Sequence, residues 1–122
     1  MVNLPYSARQ LVWLGNTRET LSAFPIAAKK VLGFGLRQVQ IGEIPEFAIP
    51  LKGIGSGVYE LTANSRKDTY RLIYTAKLSS QVFVLHAFMK KSKTGRSIPN
   101  EVKETILARL KQAMQSAAER NE

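Results

Sequence analysis

The sequence predicts a single α+β domain over residues 1–122, in which helices pack on one face of an antiparallel sheet. The length is that of one ordinary domain. Three apolar, β-branched segments separated by turn-forming residues lie in the second half, and a segment with helical apolar spacing follows them. With the N-terminal segments included, the predicted order of elements is β-α-α-β-β-β-α.

The N-terminal quarter of the chain predicts one strand followed by one short helix. Residues 9–15 form a short, mostly apolar segment that ends in a glycine, which is typical of a strand. Asn16 is a residue type that caps helix N-termini, and Glu19 three positions later completes a capping box. We therefore expect the first helix to span residues 17–23.

Proline and glycine divide the next part of the chain into a helix and a loop. Pro25 fits the first turn of a second helix that continues to Gln40, although two glycines weaken its middle. Residues 42–57 are rich in proline and glycine and therefore predict a loop. The apolar side chains expected to pack this loop against the domain are Phe47, Ile49, Leu51 and Ile54.

The second half of the chain predicts a three-stranded antiparallel meander and a final helix. We expect the strands at residues 58–63, 69–76 and 81–89, because turn-forming residues separate them. The helix is expected from about residue 98 to about residue 118, with one apolar stripe. The residues of that stripe are Val102, Ile106, Leu110, Ala113 and Ala117.

Alternation along the strands predicts which side chains share a face of the sheet. In the last meander strand it places Ala87 with Phe83 and Leu85, and it places His86 and Phe88 on the opposite face. Both faces carry apolar residues, so alternation alone does not tell which of them is buried.

The composition excludes several classes of protein and site. The chain has no cysteine, which excludes disulfides, thiolate metal sites and a cysteine nucleophile. Residues 1–10 lack the pattern of a signal peptide, and no apolar run approaches the roughly 18 residues of a membrane span. We therefore expect a cytoplasmic protein without a membrane partner. The acidic residues are too scattered to suggest a metal site, and the sequence has no nucleotide-binding motif. We therefore expect neither a metal nor a cofactor.

Positive charge is concentrated in one part of the chain. The net charge is +9, yet residues 61–100 alone hold eight Lys or Arg against one acid, Asp68. This concentration favours a polyanion such as nucleic acid, or an acidic partner, over a generally solubilising surface.

Four of these cations follow the last meander strand within seven residues, at Lys90, Lys91, Lys93 and Arg96. Loops at strand ends are frequent positions for functional groups, so these side chains are candidates for binding phosphate. A solvated basic loop that protects a sheet edge is an equally good interpretation.

Other candidate residues lie within the meander. Arg71 is flanked by apolar residues, so it must reach either a ligand or a carboxylate such as Glu60 on the neighbouring strand. Arg66 and Lys67 fall in the turn between the first two meander strands, where they can contact RNA or simply remain solvated. His86 is the only histidine, and a core position is more common for such a residue than a catalytic one.

A set of short motifs carries a resemblance to a known family. In chain order they are Val12-Trp-Leu-Gly15, Phe24-Pro25, Gln40-Ile-Gly42, Pro50-Leu-Lys-Gly-Ile-Gly55, Val58-Tyr-Glu60, Tyr70-Arg-Leu-Ile-Tyr74 and Leu85-His-Ala-Phe-Met-Lys-Lys-Ser92. Together they resemble the phage-derived, HigB-like branch of the RelE/ParE toxin superfamily.

The resemblance implies a RelE-like fold and a toxin from a two-gene toxin–antitoxin module. It implies a helix-turn-helix antitoxin encoded alongside, and cleavage of messenger RNA on the ribosome. In such an enzyme the RNA's own 2′-hydroxyl attacks the adjacent phosphate, so the protein only has to orient the strand, assist proton transfer and stabilise charge.

The resemblance also implies roles for individual residues. Arg71 would contact the scissile phosphate, Lys90 and Lys91 would stabilise the transition state or protonate the leaving oxygen, and His86 would assist catalysis. The residues expected to contact RNA are Lys52, Arg66, Lys67, Lys93 and Arg96. Two other functions stay open on the same fold: a ParE-like poison of DNA gyrase, and a non-catalytic, phage-derived protein that only binds its antitoxin.

Overall fold

Five strands and three helices form the fold in a computed structural model, which describes residues 8–91 and 98–120, with Lys91 described in its backbone only. The elements in chain order are β1 (Gln10–Trp13), α1 (Thr17–Ser22), α2 (Ile26–Gln40), β2 (Ile49–Pro50), β3 (Val58–Ser65), β4 (Asp68–Thr75), β5 (Gln81–Lys91) and α3 (Asn100–Arg120).

The sheet has the strand order β1-β5-β4-β3-β2. Strands β3, β4 and β5 form the expected antiparallel meander. The sheet as a whole is mixed, however, because β1 pairs parallel to β5. The prediction of a purely antiparallel sheet was therefore wrong. Alternation within a four-residue strand carries no information about its partner, and parallel pairing requires a long crossover that only the tertiary fold reveals.

The opposite edge of the sheet holds β2, a two-residue strand inside the segment expected to be a loop. Pro50 is tolerated there because an edge strand leaves one row of backbone groups unpaired. The packing expected of this segment is found at Ile54, which is 7% exposed, whereas Ile49 is 46% exposed.

Helices cover both faces of the sheet, so the prediction that they pack on one face was also wrong. Helix α2 packs on one face, here called the α2 face, through Leu32 and Leu36, against Leu61 and Leu72. Helix α3 packs on the other, the α3 face, where Ile106 and further residues of its predicted stripe are buried. Both faces of the central strands are apolar, and leaving either one in water would forgo its burial energy.

A β-bulge in β5 explains why the predicted alternation fails there. Ile73 pairs with His86, but its neighbour Tyr74 pairs with Val84, so Leu85 is the extra residue. After the bulge, each side chain of β5 lies on the face of the sheet opposite to the one that alternation predicted. Ala87 joins the core of the α2 face, while Phe88 packs on the α3 face and stacks on His86 with ring centroids 5.2 Å apart.

The capping box predicted at Asn16 does not form. Asn16 lies at the N-cap of α1 but its side chain makes no capping hydrogen bond. Its backbone, at φ −99° and ψ 24°, departs from the extended conformation that directs a capping side chain at the helix. The Thr20 hydroxyl instead donates to the Asn16 carbonyl oxygen at 2.9 Å.

Helix α2 is continuous through both of its glycines, which differ in their surroundings. A Cβ atom at Gly35 would lie 2.9 Å from Leu61 Cδ1 and from Phe47 Cζ, so this glycine allows the helix to approach the sheet. At Gly33 nothing lies within 4 Å of such an atom. No helix in the part of the chain that the structure describes is long and apolar enough to cross a membrane.

We expect the two glycines to respond oppositely to alanine. Gly33→Ala should raise the free energy of unfolding by up to about 1 kcal/mol, since alanine favours the helix and meets no atom. Gly35→Ala should lower it by about 1 kcal/mol, because the overpacking cost exceeds the same gain. Urea unfolding followed by circular dichroism measures both. Equal stabilisation by the two variants would contradict the close approach at Gly35.

Candidate functional site

A buried ion pair lies on the α3 face and joins the first two strands of the meander. Arg71 of β4 and Glu60 of β3 are 7% and 8% exposed, and the Arg71 Nη1 atom donates to Glu60 Oε2 at 3.0 Å. Arg71 is opposite Thr62 in the register, so Glu60 is its diagonal neighbour on the same face. Of the two interpretations of Arg71, the structure contains the ion pair.

Lys90 of β5 belongs to the same group of charges. It is half-buried and lies opposite Thr69, which places it on the face that carries Arg71. Burial lowers the pKa of Lys90, the positive charge of Arg71 lowers it further, and the negative charge of Glu60 opposes both. The structure thus places Arg71 and Lys90 on one face of the sheet, with Glu60 on the opposite side of Arg71 from Lys90. Their roles stay predictions.

A groove of about 340 Å³ opens beside this ion pair, between the β2–β3 segment and the start of α3. Lys52, Glu60 and Lys103 are its charged lining residues, and the apolar lining comes from Ile49, Pro50, Leu51 and Ile98. Lys52 was expected near RNA, whereas Lys103 was not singled out by the sequence. Its position one residue after Val102, a half-buried residue of the stripe, is the signal that could have indicated it.

His86 lies on the α3 face but has a different partner. The Arg109 Nη1 atom of α3 lies 3.0 Å from His86 Nδ1, and it also donates to the Leu85 carbonyl oxygen at 3.0 Å. Burial lowers the pKa of His86, and the positive charge of Arg109 lowers it further. His86 is therefore neutral, with Nδ1 accepting from Arg109 and the proton on Nε2. Its catalytic role stays a prediction.

Arg109 is a residue that sequence reasoning missed. Besides bonding at the bulge, its guanidinium occupies the space where a side chain at Gly15 would begin. Gly15 also has φ +58°, a conformation that disfavours other residues. The bulge, the middle of α3 and the segment after β1 thus meet at the Arg109 side chain. No pattern in the sequence indicated these contacts, because Arg109 is a single arginine beside the apolar stripe of α3.

The remaining predicted RNA contacts lie at one end of the sheet or outside the described residues. Arg66 and Lys67 are exposed in the β3–β4 turn, at the end of the sheet where β5 terminates. The backbone of Lys91 pairs opposite Asp68. Lys93 and Arg96 lie outside the residues that the structure describes.

The arrangement suits an anion rather than a metal. Within residues 8–91 and 98–120, no three His, Asp or Glu side chains are grouped to hold a metal ion. The groove instead places the carboxylate of Glu60 among the cations of Lys52, Lys103 and Arg71, with Lys90 in electrostatic range. Cations in this setting can neutralise a phosphate while the carboxylate moves a proton.

We expect the loss of one partner of the ion pair to destabilise the fold. Arg71→Ala should lower the free energy of unfolding by about 3 kcal/mol, because it leaves the Glu60 carboxylate buried beside no guanidinium. The double variant Arg71→Met with Glu60→Leu should recover most of that loss. Urea unfolding of both variants checks this, and a double variant as unstable as the single one would disprove it.

We expect His86 to make stability depend on pH. The unfolded chain takes up a proton at His86 near pH 6.5, whereas the folded chain does so only at lower pH. The melting temperature should therefore fall as the pH drops below about 6.5. His86→Asn keeps an acceptor for Arg109 without titrating, so its profile should be flatter. Parallel profiles for the two proteins would refute this assignment.

Comparison with known proteins identifies a family but no individual relative. No curated protein and no solved structure matches the chain. The model of the family described as "Phage derived protein Gp49-like" matches residues 19–111, which include α2, the meander and the residues of the groove. That family is part of the RelE/HigB-type toxin family, as the resemblance of the sequence motifs led us to expect. Since the match covers most of its length, the chain belongs to the Gp49-like family of phage-derived proteins.

Proposed function

We propose that this protein is the toxin of a two-gene toxin–antitoxin module and cuts messenger RNA on the ribosome. The observation that carries the proposal is the juxtaposition of Glu60, Arg71 and Lys90 on the α3 face, beside a groove lined by further lysines. Membership of a family within the RelE/HigB-type toxins supports it.

The proposed reaction uses the 2′-hydroxyl of the RNA as its nucleophile. Glu60 accepts the hydroxyl proton, and the 2′-oxygen attacks the adjacent phosphorus. The bond to the 5′-oxygen of the next nucleotide breaks, which leaves a 2′,3′-cyclic phosphate and a 5′-hydroxyl. Glu60 is the one carboxylate among the described residues that line the groove, so we assign it the role of general base.

Lys90 and Arg71 have different roles in this proposal. Lys90 is half-buried with a lowered pKa, which makes it a better proton donor to the leaving oxygen than an ordinary lysine. Arg71 is 7% exposed and already bonded to Glu60, so we assign it to orienting that carboxylate and adding positive potential. This changes the direct contact with the scissile phosphate that the resemblance implied. Lys52 and Lys103 would hold neighbouring phosphates.

The size of the groove bears on how the RNA arrives. At about 340 Å³ it accommodates little more than the reacting part of a strand. We therefore propose that the ribosome presents the messenger RNA, and that the protein acts in the cytoplasm. A helix-turn-helix antitoxin encoded alongside is the proposed protein partner.

Cleavage of a message on purified, stalled ribosomes tests the proposal. Glu60→Gln retains a hydrogen bond to Arg71 but removes the base, so cleavage should slow by about 100-fold. Lys90→Ala should slow it by a similar factor, about 100-fold. Lys77→Ala, which removes an exposed cation outside the groove, should leave the rate unchanged. Primer extension on the message measures each rate.

Three outcomes would contradict the assignment. Full activity in both the Glu60→Gln and the Lys90→Ala variants would place the reaction elsewhere on the protein. Intact messages accompanied by DNA breaks after induction in cells would favour a poison of DNA gyrase. The absence of any growth effect would favour a protein that only binds its antitoxin.

A further inference from the structure

Helix α2 presents an apolar strip to solvent on the side that faces away from the sheet. Ile26 is 69% exposed, Phe34 is 59% exposed and Ile41, at the C-cap, is 46% exposed. At the helical angle of about 100° per residue these three project from one side of the helix, opposite the buried Leu32 and Val39, with Lys30 and Arg37 between them along its length.

The cations beside this strip have no acidic counterpart in the helix. Lys29, Lys30 and Arg37 project from α2, and the sequence of Ile26–Gln40 contains neither Asp nor Glu. Apolar and positive side chains therefore alternate along this side of the helix. An α-helix that presents apolar and acidic side chains on one face would complement both features.

Gly33 gives this surface a depression. Together with Ile26, Phe34 and the three cations it lines a shallow groove of about 470 Å³. Glycine inside a helix lowers the stability of the helix by about 1 kcal/mol relative to alanine, so its presence at position 33 needs an explanation. Gly35 has one in its close contact with Leu61, whereas at Gly33 nothing in the fold lies within 4 Å of a Cβ position. Its missing side chain leaves room for a side chain of another molecule.

We propose that this surface of α2, formed by Ile26, Phe34, Ile41, Gly33 and the three cations, is the docking site for an acidic amphipathic helix of a partner protein. One large apolar side chain of that helix fills the depression at Gly33, and its carboxylates pair with Lys29, Lys30 and Arg37. The identification of the partner with the antitoxin rests on the proposed function, whereas the chemistry of the docking helix does not.

Two other occupants fit the surface less well. A second copy of this chain docked through the same surface would bring the cations of both helices together, which costs energy. An anionic membrane would satisfy the charges, but a fluid lipid surface gives no reason for a depression of side-chain size at Gly33.

Two synthetic peptides of about 20 residues test the proposal, since this length supports a helix in water. Both carry the same leucine stripe, but one has glutamates on its flanks and the other has lysines. Titrated into the full-length, ¹⁵N-labelled protein, the glutamate peptide should shift the amide signals of α2. It should bind at least about tenfold more tightly than the lysine peptide, and added salt should weaken it.

Surface variants separate docking from a change of fold. Phe34→Ser should weaken binding of the glutamate peptide by about tenfold, as is typical of a central apolar contact. Gly33→Leu should also weaken it about tenfold, because leucine fills the depression while favouring the helix. Met114→Ser, which changes an exposed residue of α3 on the other side of the sheet, should bind the peptide like the unaltered protein.

The following results would overturn the proposal: equal binding of the two peptides, no binding of either, or unchanged binding by both Phe34→Ser and Gly33→Leu. Binding to phosphatidylserine vesicles in preference to the peptide, or a dimer in light scattering that Phe34→Ser abolishes, would assign the surface to a membrane or to a second copy. No RNA is present in these titrations. Glu60→Gln should bind the peptide normally, so a failure of the cleavage proposal leaves this test intact.

Discussion

The pairing of Arg71 with Glu60 is the interaction around which the α3 face is organised. Two charges are held out of water at 3.0 Å, each on a central strand, and neither can be removed alone without leaving the other buried. Such a pair gives little net stability compared with apolar residues of similar size. Its presence in the middle of an otherwise apolar sheet therefore fits the role proposed for Glu60 at the groove better than a gain in stability.

The two sides of the sheet have different tasks in this view. The α3 face combines apolar packing at Ile106 and Leu110 with the charged groove beside Glu60. The α2 face is apolar along the strands, and its helix carries cations on the outside instead. The proposed chemistry and the proposed docking of a partner thus use surfaces separated by the sheet, so a partner helix on α2 would not fill the groove directly.

The sequence was informative where local signals determine structure. The meander and the stripe of α3 were predicted because turn formers and apolar spacing act over a few residues, and Ile106 and Leu110 are buried as expected. The parallel pairing of β1 and the burial of both sheet faces depend on contacts between distant parts of the chain. At the site, Arg71 was recognised because it is a charged residue inside an apolar strand. Lys90 was recognised because it belongs to a cluster of cations at the end of a strand. Glu60 was named only as a pairing partner, since one carboxylate has no sequence pattern.

The bulge at Leu85 determines which lysine of β5 lies on the face of the ion pair. In an unbroken strand, the alternation that begins at Phe83 would turn Lys90 toward α2, where it could not sense the charges of Arg71 and Glu60. One additional residue in β5 inverts that parity for the rest of the strand, so that Lys90 comes to lie on the side of the ion pair. The extra residue at the bulge therefore determines that Lys90, the proton donor in the proposed reaction, shares a face with Glu60 and Arg71.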